Sequence, residues 1–186
     1  MKIIPGRKSD AGFIASCVMD AVGEEICLNL AGEHHTLADV KRVFASLAEM
    51  EDTQYSYRNT LVAVDEAGEP LGAIVGYDGA LLHPMREHFF AAAREILDLD
   101  MGDVDDECDG EEFYLDTLAV LPEHRGKGIA TSLLNAMVEK AHATGKPAGL
   151  LVEKTNHRAR RLYESIGFVK VGDRPFAYVL MDHLRK

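Results

Sequence analysis

Phe113-Tyr114-Leu115-Asp116-Thr117-Leu118-Ala119-Val120, then Leu121-Pro122-Glu123-His124, then Arg125-Gly126-Lys127-Gly128-Ile129-Ala130, is the stretch on which the fold turns. The first eight residues are aromatic, β-branched and apolar enough to read as a strand. The glycine-bearing turn opens a helix predicted from about Gly128 to Ala143, closed by Gly145 and Pro147. Ala148 to Val152 reads as a second buried strand and Asn156 to Ile166 as a further helix. A strand, a turn rich in glycine and a helix start leave backbone N–H groups and a helix dipole free to hold a phosphate.

Working outward, Ile3-Ile4 predicts a short strand, and Ser9 or Asp10 caps a helix running to about Val22. Gly23 and Gly32 mark turns around a segment of no decided type. Thr36 to Met50 is a helix, with Leu37, Val40, Val43, Phe44 and Leu47 at helical spacing and a Thr36…Asp39 capping pattern. Leu61–Val64 and Leu71–Tyr77 are hairpin strands across Glu66-Ala67-Gly68-Glu69. Pro84 begins a helix to about Leu99, followed by an acidic loop over 98–112. Helix and loop are expected to form an insertion near 84–99 and beyond, between two strands of one sheet. Phe168–Val171 and Ala177–Met181 complete that sheet. Early hairpins joined to one βαβ unit predict an α/β (α+β) fold, a mixed sheet flanked by helices, in a single domain over 1–186.

Composition narrows the partners. With 47% hydrophobic and 27% charged residues the chain resembles an ordinary soluble globular protein, and it has no apolar run of transmembrane length. Cys17, Cys27 and Cys108 are an odd set without motif spacing, so they read as reduced thiols and predict a cytoplasmic location. Residues 1–112 hold 8 Lys and Arg against 24 Asp and Glu, while residues 113–186 hold 12 against 7. The candidate phosphate turn thus lies in the basic part of an acidic protein. Nucleic acid and membrane are not expected partners, and the acidic part favours a cationic one if its charge faces the site. It equally serves solubility.

Three phosphate motifs compete at the turn. A Walker loop fails because Gly128 follows Lys127 where Ser or Thr is needed, and Leu121 stands in the place of the first glycine. A dinucleotide fingerprint fits Gly126 and Gly128 but meets Thr131 at its third glycine. The third pattern, Arg-x-x-Gly-x-Ala, is filled by Arg125, Gly128 and Ala130. Together with Asn156…Ala159…Leu162-Tyr163-Glu164…Gly167-Phe168 it resembles the GCN5-related N-acetyltransferase family, most strongly over 113–171. The resemblance implies an acyl-CoA N-acyltransferase fold and acetyl-CoA as cosubstrate, without a metal. It implies that the amides of residues 126–131 (Gly126, Lys127, Gly128, Ile129, Ala130 and Thr131) hold the pyrophosphate. The main chain of Leu118, Ala119 and Val120 would pair with the pantetheine arm as an added strand does. Arg125 and Lys127 add positive charge. A homodimer fits family habit, although no residue points to one.

Asn156, Ala159 or Arg160, and Tyr163 share one helix face, whereas Leu162 and Ile166 belong to the core. Asn156 suits an N-cap, and the resemblance adds a cofactor contact. Tyr163 resembles the family's general acid: a phenol can protonate the thiolate that aminolysis of a thioester expels. Its alternative is packing. The base that takes the amine proton is less clear. The glutamate that some relatives carry in the strand before the asparagine helix is Leu151 here, so that role does not carry over. Asp116 and Glu112 lie in or beside the central strand, and Asp116 is the candidate base or amine-binding group, a bulge permitting, with a structural hydrogen-bond acceptor as its alternative. Asp105–Gly110 has the acidic spacing of a calcium loop but runs into a strand, and reads as a solvated acidic loop. His34, His35, His83 and His88 lack a complete ligand set. Tyr55, Tyr57 and Asn59 line an acceptor pocket or pack a loop edge. The expectation is an acetyltransferase acting on a small-molecule amine or lysine side chain, with a non-catalytic acyl-CoA-binding module as the alternative.

Overall fold

The computed structural model describes residues 1–102, 104–177 and 179–186. Seven strands form one mixed sheet: β1 (Lys2–Pro5), β2 (Thr60–Val64), β3 (Pro70–Asp78), β4 (Phe113–Val120), β5 (Ala148–Glu153), β6 (Val169–Phe176) and β7 (Val179–Arg185). Their order across the sheet is β1-β2-β3-β4-β5-β7-β6. Among the described residues only β4 and β5 are parallel, joined by the right-sized crossover through α5 (Ile129–Ala143). The other pairs are antiparallel.

Helices cover both faces. On one, α5 buries Leu133, Leu134, Met137 and Val138 against Ile74, Leu115, Leu150 and Phe168. On the other, α1 (Ala11–Val22), α3 (Leu37–Glu49) and α4 (Leu82–Leu97) enclose Phe44, Leu47, Tyr77 and Tyr114. A fully buried Leu or Met of this kind contributes about 1.5–3 kcal/mol, so each α5 turn is worth several. The Thr36…Asp39 capping box forms as the spacing predicts, Thr36 Oγ1 accepting from the Asp39 amide at 3.3 Å. The undecided segment between Gly23 and Gly32 is a helix, α2 (Glu24–Ala31), bounded by those two glycines at positive φ.

Two expectations need correction. The last hairpin is longer than the apolar runs suggest. β6 continues through Gly172 and Pro175 past a register shift between Lys170 and Gly172, and β7 continues through Asp182 and His183 to Arg185. Ala177 lies in the turn between them, and the strand assignment of Tyr178 falls outside the described residues. The acidic loop is only partly solvated: Gly102, Asp105, Gly110 and Glu111 are exposed. Glu107 and Cys108 are buried. Arg86 of α4 pairs with Glu107 and, at 2.9 Å, with Asp106, and donates to the carbonyls of Val104 and Asp105. Asp109 is held at 2.9 Å by Arg174 and at 3.0 Å by Arg185. Of the carboxylates a calcium loop would use, Glu107 and Asp109 are thus engaged by guanidinium groups. β3 and β4 are antiparallel neighbours, so residues 79–112 are the predicted insertion between adjacent strands, clamped down by these arginines.

Candidate active site

β4 and β5 pair only at Phe113 with Ala148 and at Tyr114 with Gly149. Beyond that point the strands part, and the β5-facing backbone of β4 from Leu115 onward has no strand partner. An edge of unpaired amides and carbonyls is a template for an extended ligand. The opening widens into a cavity of about 510 Å³. It is lined by Leu118, Ala119 and Val120 of β4, by Arg125, Gly126, Gly128, Ile129, Ala130 and Thr131 of the turn and α5, and by Asn156 and Tyr163. Of the predicted cofactor residues only Lys127 is not in this lining. Its Nζ lies 3.4 Å from Nδ1 of His124, which does line the cavity.

The turn owes its shape to two glycines. Gly126 and Gly128 have φ of 76° and 79°, a left-handed conformation that L side chains rarely adopt. A Cβ at either position would meet no atom within 4 Å, so the requirement is backbone conformation and not space within the protein. Gly128 caps α5, which directs the first amides of that helix at the cavity. Arg125 Nε donates to the Val120 carbonyl at 2.9 Å, tying the turn to the end of β4. Ala159 lines the cavity on the face it shares with Asn156 and Tyr163, and Leu162, expected in the core, both packs there and borders the cavity; Asp20, His124 and Arg158 also line it and were not read from the sequence. The basic character of the helix after Asn156 was the available signal for Arg158.

Asn156 caps α6 (His157–Ser165), its Oδ1 accepting from the Ala159 amide at 3.1 Å, and the same side chain borders the cavity. The helix is anchored to β7 by Arg160, which pairs with the buried Asp182. Tyr163 is half-buried, its ring edge-on to Phe168 at 6.0 Å. Its hydroxyl has no hydrogen-bond partner among the described residues. Burial raises its pKa, so the phenol keeps its proton at neutral pH.

Asp116 sits at a bulge. Val75 pairs with Thr117 and Gly76 with Leu115, leaving Asp116 as the extra residue of β4. The bulge resets the alternation. Phe113 and Leu115 before it, and Leu118 and Val120 after it, all face α5. Asp116 and Tyr163 line a second, small cavity of about 20 Å³ at the apex of the opening, with Thr117, Leu150 and Leu151. That is room for one water molecule. Behind Asp116 lies a cluster that no sequence motif announces: Tyr77 Oη is 3.0 Å from Asp116 Oδ2 and 2.9 Å from Glu107 Oε1, and Gln54 Nε2 donates to Glu107 at 2.8 Å. Burial first, and then the Glu107 charge, push the Asp116 carboxyl up to about 7, against the Tyr77 hydrogen bond and Arg86.

Glu112 does not face this site. Its carboxylate is fully buried against His183 at 2.8 Å and Arg185 at 2.6 Å, in space left by the missing side chain of Gly149. Tyr55 packs edge-on to Phe44 at 5.1 Å, Tyr57 donates to Glu51, and Asn59 donates to the carbonyl of Thr53. These three form a packed loop edge.

A sheet parted at two parallel strands, with a glycine turn and Tyr163 bordering the gap, forms the frame of the site. Residues 33–168 match the sequence profile of the Acetyltransferase (GNAT) family, and the chain belongs to that family. Among solved structures, "The crystal structure of acetyltransferase" is 28% identical with a TM-score of 0.82, the match covering 100% of this chain and 98% of that one. An N-acetyltransferase from Staphylococcus aureus Mu50 is 22% identical with a TM-score of 0.78, covering all of both chains. A NatC complex bound to Gag peptide and CoA shares the fold at 20% identity and a TM-score of 0.55, covering 100% of this chain and 98% of that one. No curated protein matches the chain.

Proposed function

We propose that this chain, as one catalytic unit, transfers the acetyl group of acetyl-CoA to a primary amine by direct attack in a ternary complex. The observation that carries the reading is the shared small cavity of Asp116 and Tyr163, opening beside the gap between β4 and β5. The fit to acetyl-CoA is threefold. Unpaired β4 backbone matches an amide-bearing arm, the amides above Gly126 and Gly128 match a pyrophosphate, and Arg158 adds a cation in the cavity wall.

In this reading the amine nitrogen forms a bond to the thioester carbonyl carbon and the C–S bond breaks. The proton lost by the amine passes through a water molecule to Asp116. Tyr163 gives its hydroxyl proton to the departing thiolate and recovers one from solvent. A carboxyl held near 7 and a phenol held neutral suit these two duties. The acceptor is proposed to be cationic, a small-molecule amine or a lysine side chain. Asp20 supports this, since it is the carboxylate in the wall of the large cavity and lies in the acidic part of the chain.

The test is a mass-spectrometric acceptor screen with acetyl-CoA, run on wild type and Tyr163→Phe. Acetylation of cationic amines, with turnover reduced by about 10²-fold or more in the variant at unchanged acetyl-CoA affinity, is expected. Full turnover by Tyr163→Phe at every pH removes the phenol from the reaction. Tight acetyl-CoA binding with no acetylation of any amine favours the non-catalytic binding module.

A further inference from the structure

Tyr77 stands between two carboxylates with only one hydrogen to give. Its Oη is 2.9 Å from Glu107 Oε1 and 3.0 Å from Asp116 Oδ2. The remaining neighbour, Gln54 Nε2 at 3.1 Å, is a donor and also reaches Glu107 at 2.8 Å. Tyr77 therefore satisfies one carboxylate at a time. Glu107 is ion-paired to Arg86 and enters the cluster as an anion. Tyr77, Gln54, Glu107 and Arg86 are all buried, whereas Asp116 is half-buried and reaches the small cavity on its other side. Two carboxylates against one guanidinium in a closed interior is an expensive arrangement, and an apolar side chain would fill the space at less cost. An arrangement of that kind points to a function for its protons.

We propose that Tyr77 is a hydroxyl rotor between Asp116 and Glu107, and that Glu107 is a positioning residue that tunes Asp116 as the base of the reaction. The proposal rests on the reading of Asp116 as that base. With Asp116 ionised, Tyr77 donates to Asp116 Oδ2. When Asp116 accepts the amine proton through water, its new O–H donates to Tyr77 Oη, and the Tyr77 hydrogen turns to Glu107 Oε1. Both states of Asp116 are then hydrogen-bonded, and Tyr77 itself neither gains nor loses charge. The groups facing Asp116 have opposing effects. Glu107 from the acidic loop disfavours its ionised form, while the Tyr77 hydrogen bond from β3 and the Arg86 charge from α4 favour it. Cys108, Tyr114 and Tyr55 complete the surroundings as neutral groups, each raised by burial. Tyr163 borders the small cavity from α6.

The rotor makes a prediction of opposite signs. Glu107→Gln removes a like charge, so the acid limb of the kcat/KM–pH profile moves down by about one pH unit. Tyr77→Phe removes a hydrogen bond that is charge-assisted with ionised Asp116 and neutral with protonated Asp116, so the same limb moves up, by less than the Glu107→Gln shift. The ¹³C-carboxyl titration of Asp116 in the free protein follows the same two shifts, with no substrate present. Limbs and titrations that stay at the wild-type position in both variants, or move in the same direction, overturn the proposal. If Glu107→Gln does not fold, the upward shift in Tyr77→Phe decides alone. Failure of the underlying reading has a separate signature: Asp116→Asn then keeps wild-type kcat/KM with an unaltered acid limb.

Discussion

Asp116→Asn should make the protein more stable at alkaline pH, and the gain should vanish in acid. The Asp116 carboxyl has an ordinary value of 3.8 when exposed and is pushed up to about 7 in the fold, first by burial and then by Glu107. The folded protein thus holds a proton at Asp116 that the unfolded chain releases. Stability from this group is fully present below pH 3.8 and is lost as pH rises to about 7. About three pH units at 1.36 kcal/mol each set an upper bound of about 4 kcal/mol. Solvent reaching the small cavity reduces this, and about 2 kcal/mol is the size to look for. Asparagine is nearly isosteric, keeps an oxygen for Tyr77 and carries no charge. Urea unfolding of wild type and variant, followed by far-ultraviolet circular dichroism at pH 4.5 and pH 8, isolates the effect as a difference of differences. The variant should gain on wild type by about 2 kcal/mol between the two pH values while losing most of its turnover. A stability difference that is the same at both pH values refutes the burial argument, whatever happens to activity.

Three further outcomes follow from the geometry. Gly128→Ala places a Cβ where φ is 79°, which costs about 1–2 kcal/mol of strain and should weaken acetyl-CoA binding severalfold in calorimetry while leaving saturated turnover the less affected quantity. Thr36→Ala removes the α3 cap and should lower stability by about 1 kcal/mol, seen as a Tm lower by about 2–4 °C with unchanged kinetics. Because burial raises the Tyr163 pKa above its ordinary value of 10, loss of the acid should not produce an alkaline limb in kcat below about pH 10. An alkaline limb near pH 8 that disappears in Tyr163→Phe would contradict this.

The elements with clean periodicity were legible in the sequence. The α3 pattern, the β2–β3 hairpin and the β4-turn-α5 unit all stand where spacing and turn residues put them. The cavity-lining residues between Leu118 and Thr131 were largely legible for the same reason, since they occupy one short, locally ordered stretch, whereas Asp20 and Arg158 lie outside it and were missed. The cluster around Tyr77 was not. Gln54, Tyr77, Arg86 and Glu107 lie on four separate segments, and Glu107 sits in a run of acids that resembles a solvated surface. Only the docking of residues 79–112 onto the sheet brings them together. The β6–β7 hairpin was underestimated because Gly172, Pro175, Asp182 and His183 break the apolar alternation. There Asp182 is held by Arg160 and Lys170, so ion pairing replaces apolar packing as the reason the strand forms. The bulge at Asp116 is a matter of parity, and a one-residue offset in alternation is faint where apolar residues flank Asp116 and Thr117 on both sides.

The parting of β4 from β5 leaves the sheet joined across its middle by just two residue pairs. Strands β1 to β4 and strands β5 to β7 are therefore two panels on a narrow hinge, braced by α5 across one side. A ligand threaded between them, as proposed for acetyl-CoA, would close the seam and become a structural member of the sheet. Heat resistance then reports occupancy. At a hundredfold excess over Kd the bound form gains about 2.7 kcal/mol, a rise of roughly 5–10 °C for a chain of this size. The seam should also gain amide protection on both banks at once, so that hydrogen exchange on β4 and β5 slows in concert when the cosubstrate is present.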